Sequence, residues 1–134
     1  GIRVPMIASW PTKIKPGSKS NQISAFQDMM PTFCDIIGID VPLNIDGISI
    51  KPTLLGNFQK VTHEYLYWEF PAYKGQQAVR MGKWKGIRKN IFEGNMSIEL
   101  DDISLDNQER IKVGMIYPNS PSPIMRFKFP QLGD

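Results

Sequence analysis

Apolar and polar positions follow two different rhythms along this chain. Phe26, Met29, Met30, Phe33, Cys34 and Ile37 recur at steps of three and four, the spacing that lines apolar side chains along one face of a helix. Asp28 stands where an N-cap belongs, Pro31 falls in the first turn, and Gly38 takes the left-handed C-cap position. The spacing therefore predicts a helix from Asp28 to Ile37. From residue 65 the rhythm changes. Tyr65-Leu66-Tyr67-Trp68-Glu69-Phe70 and Gln77-Ala78-Val79-Arg80-Met81 are rich in β-forming residues. Gly82 predicts a tight turn into a third strand over Lys83-Trp84-Lys85-Gly86-Ile87-Arg88, and Ser97-Ile98-Glu99-Leu100 supplies a fourth. Sequential strands joined by short loops predict an antiparallel meander.

The flanks add less. Residues 2–10 are mostly apolar and close at Pro11, which predicts a short buried strand, with Pro5 marking an edge or a bulge. Lys15-Pro16-Gly17-Ser18 predicts a turn, and residues 41–56 read as a looped connection containing Asp46-Gly47. From Tyr117 onward Pro, Ser and Asn dominate, giving an extended tail that packs through Phe127 and Phe129. There is no internal repeat. The fold class is α+β: a strand and helix, then a small antiparallel sheet.

Composition narrows the class. With 134 residues, 41% hydrophobic and 22% charged, the chain fits one domain and carries enough apolar material for a core, so a wholly disordered chain is excluded. No apolar run reaches the ~18 residues that span a bilayer, so no membrane partner is expected. The formal charge is +3, densest over Lys83-Trp84-Lys85-Gly86-Ile87-Arg88-Lys89. That stretch suits either an anionic partner or the solvated face of a strand, and no nucleic acid is expected. Gly1 starts without an initiator Met or a signal pattern, as in a fragment or a processed chain.

Chemistry is sparse. Cys34 is the single cysteine, which excludes an internal disulfide and a thiolate metal cluster; within the apolar stripe it reads as a buried, inert thiol. His63 is the single histidine, so no histidine pair can hold a metal, and a structural or surface role is expected of it. No Gly-x-Ser-x-Gly elbow and no glycine-rich phosphate loop occurs. Asp101-Asp102 would point to opposite faces of a strand, which argues against a two-carboxylate site, and they read as the edge of a turn. The residues alone yield no catalytic group and no metal ligand.

Several segments in order resemble the end of the sulfatase family. Gly1-Ile2-Arg3-Val4-Pro5-Met6-Ile7 is similar to the strand after that family's active-site lysine loop. Trp10-Pro11-Thr12-Lys13-Ile14-Lys15-Pro16-Gly17-Ser18 is similar to its "WPGKIKPG" turn. Asp28-Met29-Met30-Pro31-Thr32 matches "D-x-x-P-T" at the start of a family helix. Asp46-Gly47-Ile48-Ser49 and Pro52-Thr53-Leu54-Leu55-Gly56 match the connection that follows. Tyr65–Phe70 and Gln77–Lys85 resemble the "LYWEF…QAVRMG-x-WK" hairpin of the C-terminal subdomain. Towards the end the likeness loosens, because Glu99-Leu100-Asp101-Asp102-Ile103 replaces "ELYDL" and Asp106–Lys112 lacks the usual Asn pair.

The resemblance implies the C-terminal portion of an arylsulfatase-type enzyme of the alkaline phosphatase-like superfamily. Residues 1–56 would be the terminal strand, helix and connection of its α/β catalytic domain, and 57–134 an antiparallel subdomain with an extended tail. It implies hydrolysis of aryl or carbohydrate sulfates by the parent chain, which would use a formylglycine made from "C/S-x-P-x-R" and a Ca²⁺ ion. Cys34-Asp35-Ile36-Ile37 does not fit that motif and Ser120-Pro121-Ser122-Pro123 has no Arg at the required step. This portion is thus expected to scaffold the substrate cleft and to be inactive alone, with the upstream catalytic domain as its partner. Without that domain it is expected to self-associate through residues 2–10 and the helix stripe. A periplasmic or secreted location is expected from the same resemblance.

In this family, loops of the subdomain help shape the cleft. Tyr73, Lys74, Gln76 and Gln77 are the candidate substrate-binding residues: a ring to stack on a sugar, a cation for an anionic group, and amides for hydroxyls. A plain hairpin loop is the competing reading. Arg3 would pair with an acid near the site or form a structural salt bridge. Two alternatives stand beside the sulfatase reading: a free-standing module binding anionic polysaccharide through Tyr73, Lys74 and residues 83–89, or part of a phosphodiesterase of the same superfamily.

Overall fold

A computed structural model describes residues 2, 4–104, 114–115 and 123–130. It divides into two compact units, Gly1–His63 and Glu64–Asp134.

In the first unit a 3-10 turn, Phe26–Asp28, runs directly into helix α1, Met29–Ile37, and one further helical turn, α2, spans Lys51–Leu54. Gly38 closes α1 as the sequence predicts: its φ is 76° and its N–H donates to the Cys34 carbonyl at 2.9 Å. The other end differs. Asp28 already has helical backbone angles (φ −75°, ψ −15°) because the 3-10 turn feeds the helix, and its side chain makes no cap bond to α1. The buried face differs too. Cys34 is buried, along with Asp28, Pro31 and Thr32, whereas Phe26, Met30, Phe33 and Ile37 are exposed. Within this unit the chain from Ile48 to Lys51 bonds to Asp28, Thr32 and Asp35, so the mixed polar face of α1 is covered and most of the apolar stripe is not.

Residues 4–10 form no strand, contrary to expectation, and Val4 and Ile7 are exposed. A strand exists only in a ladder, and no described segment pairs with this one. The turn at Lys15 is as expected: Ser18 donates from both N–H and Oγ to the Lys15 carbonyl, at 3.3 and 2.8 Å. The first unit ends at His63, seven residues beyond the boundary expected at Gly56. Gln59 Nε2 donates to the carbonyls of Ser49 and Val61, and His63 bonds to Asp28. These bonds hold residues 57–63 to the first unit.

The second unit is a five-stranded antiparallel sheet in sequential order: β1 Leu66–Phe70, β2 Gln76–Met81, β3 Trp84–Lys89, β4 Glu99–Asp102 and β5 Gly114–Met115. The first four strands make the predicted meander, with β4 starting two residues later than expected, and β5 is a strand that was not expected. Asp101 and Asp102 are strand residues rather than the edge of a turn, and both are buried. Val79, Leu100 and Ile124 form the core, with Met81, Trp84, Ile98, Phe127 and Phe129 packed against it. Ile124 belongs to a 3-10 turn, Pro123–Arg126. A Cβ on Gly86 would meet Ile124 Cγ2 at 2.9 Å and Val79 Cγ1 at 3.3 Å, so only glycine lets that turn settle on the sheet. Phe127 and Phe129 pack as expected, with rings 5.1 Å apart and Phe127 edge-on to Tyr65. The expected proline-rich start of the tail, 118–122, lies outside the described residues. Among the described residues no helix is long and apolar enough to cross a membrane.

Candidate functional site

The hairpin loop 71–75 is closed by the pair Phe70↔Gln76. Tyr73, Lys74 and Gly75 have φ of 52°, 69° and 79°, three successive left-handed residues of which two carry a Cβ. Such a residue costs roughly 1–2 kcal/mol, so the conformation persists only where neighbours enforce it. Here the turn at residues 90–94 does so. Phe92 N–H donates to the Lys74 carbonyl at 3.0 Å, Ile91 N–H to the Gly75 carbonyl at 3.2 Å, and Lys74 Nζ pairs with Glu93 at 2.6 Å. The result presents Tyr73 at 77% exposure, its ring 6.0 Å from that of half-exposed Phe70. Phe92 is also exposed and lies against Gly75.

The four residues singled out from sequence therefore separate. Tyr73 and Lys74 share the loop tip, and Gln76 is half-buried at the start of β2. Gln77 points to the other face of the sheet: it is 2% exposed, and its Nε2 donates to the Pro130 carbonyl at 3.0 Å. There it joins Tyr67 and Arg88. Burial, then the neighbouring Glu69, pushes the Tyr67 phenol above its ordinary pKa. The Arg88 guanidinium lies over the Phe129 ring at 4.2 Å, and burial holds its pKa below the ordinary value, with Tyr67 opposing. Phe70 and Phe92, exposed beside this loop, carry no motif that marks them as site residues in the sequence. Their exposure follows from register and from the left-handed Asn90 and Gly94 flanking Phe92, and only the glycine was a visible signal.

The basic stretch faces carboxylates of its own sheet. Lys83 Nζ pairs with Asp102 at 2.7 Å and lies 4.7 Å over the Trp84 ring, and Lys89 Nζ pairs with Glu99 at 2.8 Å. Lys85 is 2% exposed, in register with buried Asp101. The hydrogen bond from Lys83, then that from Ser104, holds the Asp102 carboxyl down to about 2.

In the first unit several polar residues are joined to one another. Asp28, fully buried, accepts from Ala25 N–H at 2.8 Å on Oδ2, and from Ile48 N–H at 2.9 Å on Oδ1, which also lies 2.8 Å from His63 Nε2. Thr32 Oγ1 donates to the Asp28 carbonyl at 2.6 Å and accepts from Ile50 N–H at 2.9 Å. Ser49 and Lys51 both bond to Asp35, and together they lower its pKa, the Ser49 bond most. A Cβ on Gly47 would fall 2.1 Å from the Gln27 carbonyl oxygen, so the chain passes too closely for any side chain. This is a clamp between α1 and the connection, and it gives His63 the structural rather than the surface role of the two expected. Cys34, on α1, is 5% exposed, the buried thiol expected of it. Among the described residues no three of His, Cys, Asp and Glu come together as a metal site. Arg3 lies outside the described residues.

Comparison with known proteins gives a consistent picture. The family described as N-sulphoglucosamine sulphohydrolase, C-terminal, matches residues 1–114. The chain is 45% identical over 67 residues to an ulvan-active sulfatase of Formosa agariphila, covering 50% of this chain and 13% of that protein. It is 41% identical over 97 residues to an N-acetylglucosamine-6-O-sulfatase of Bacteroides thetaiotaomicron, covering 68% and 16%. A solved protein in complex with its substrate D-glucosamine-2-N,6-O-disulfate superposes with a TM-score of 0.64 at 29% identity, over 78% of this chain and 22% of that one. The chain thus spans about a sixth or less of the length of these two curated relatives.

Proposed function

As a member of the N-sulphoglucosamine sulphohydrolase C-terminal family this chain is the C-terminal portion of a sulfatase, and we propose that the protein carrying it hydrolyses sulfate esters of the aryl or carbohydrate type. The family match over residues 1–114 carries this reading. Family membership implies a Ca²⁺ ion and a formylglycine in the parent protein. We place both in the catalytic domain that this portion joins, and the whole protein in the periplasm or outside the cell. The role left to this chain is structural and shaping. The clamp built on Asp28, Thr32, Gly47 and His63 fixes the connection to α1, and the turn at 90–94 holds the 71–75 loop in its left-handed form; we place that loop at the substrate cleft.

Two rival roles are testable in the same experiment. The whole protein should turn over 4-nitrocatechol sulfate and leave bis(4-nitrophenyl) phosphate nearly untouched, while the 134-residue chain alone turns over neither. Preference for the phosphate diester would overturn the sulfatase assignment in favour of a phosphodiesterase. Hydrolysis by the chain alone would overturn the division of labour. A free-standing polysaccharide-binding module would use Lys74, Lys83 and Lys89, each of which pairs with a carboxylate, and tight calorimetric binding of sulfated glycans by the chain alone would favour it.

A further inference from the structure

We draw no further inference here: the strongest candidate, the side-chain cluster of half-buried Arg88 with Tyr67 and Phe129 on the second unit's sheet, where Arg88 Nε has no hydrogen-bond partner, carries nothing, because nothing in the structure shows what covers that guanidinium in the whole protein.

Discussion

Replacing Asp28 by Ala should be among the most damaging changes in the first unit. The carboxylate is fully buried and serves three donors: Ala25 N–H, Ile48 N–H and His63 Nε2, all within 2.9 Å. Alanine leaves all three without that acceptor, and a buried donor left unpaired costs about 1–3 kcal/mol. Ala25 and Ile48 are half-buried, so water relieves part of their loss, and the sum comes to about 3–5 kcal/mol, the range for breaking a buried polar pair. That is a large share of a typical total of about 5–15 kcal/mol. Asp28→Asn should cost about half as much, since its carbonyl can still serve Ile48 and His63 while its amide faces the Ala25 donor. Denaturant unfolding gives the magnitude, and residue-resolved hydrogen exchange gives the location. Exchange should quicken most at Ile48; Ile50, whose N–H is held by Thr32 Oγ1, serves as the internal control. A loss below about 1 kcal/mol with unchanged exchange at Ile48 would refute the clamp.

Gly86→Val should destabilise the sheet by about 1–3 kcal/mol, because even its Cβ would crowd Ile124 and Val79; the urea midpoint reads this directly. Leu100→Ala should cost about 2–5 kcal/mol by emptying the same core from the opposite strand, measured in the same way. Asp102 should make stability fall in acid. Its carboxyl is held down to about 2 in the folded state, below an ordinary value near ~4, so its contribution is complete above that ordinary value and disappears as pH falls towards 2. Asp102→Asn should flatten the unfolding midpoint over that interval, and an unchanged pH profile would contradict the Lys83 pairing. The chain on its own should self-associate through the open face of α1, with Met30 57% and Phe33 59% exposed. Light scattering should report oligomers, and Met30→Lys with Phe33→Lys should return it to monomer.

Local signals were legible without a structure. The αL glycine at 38, the turn at Lys15 and the sequential meander each follow from residue type and spacing over a few positions, and each appears as read. Family likeness was legible for the same reason, since ordered short motifs survive in the sequence itself. Partner-dependent features were not. The apolar stripe of α1 gives the helix but not the face that this unit buries, because burial depends on what lies opposite. Residues 4–10 have strand-like composition and no ladder. Asp28 was readable as a cap, but the 3-10 turn before α1 redirects its carboxylate to a backbone twenty residues away and to His63. The candidate site divides in the same way. Tyr73 and Lys74 were visible as a loop, while the burial of Gln77, the pairing of Lys74 with Glu93 and the presence of Phe70 and Phe92 depend on strand register and on a neighbouring turn. Residue types and their spacing settle what a segment can form; long-range hydrogen bonds and sheet register settle which of its side chains remain free to act.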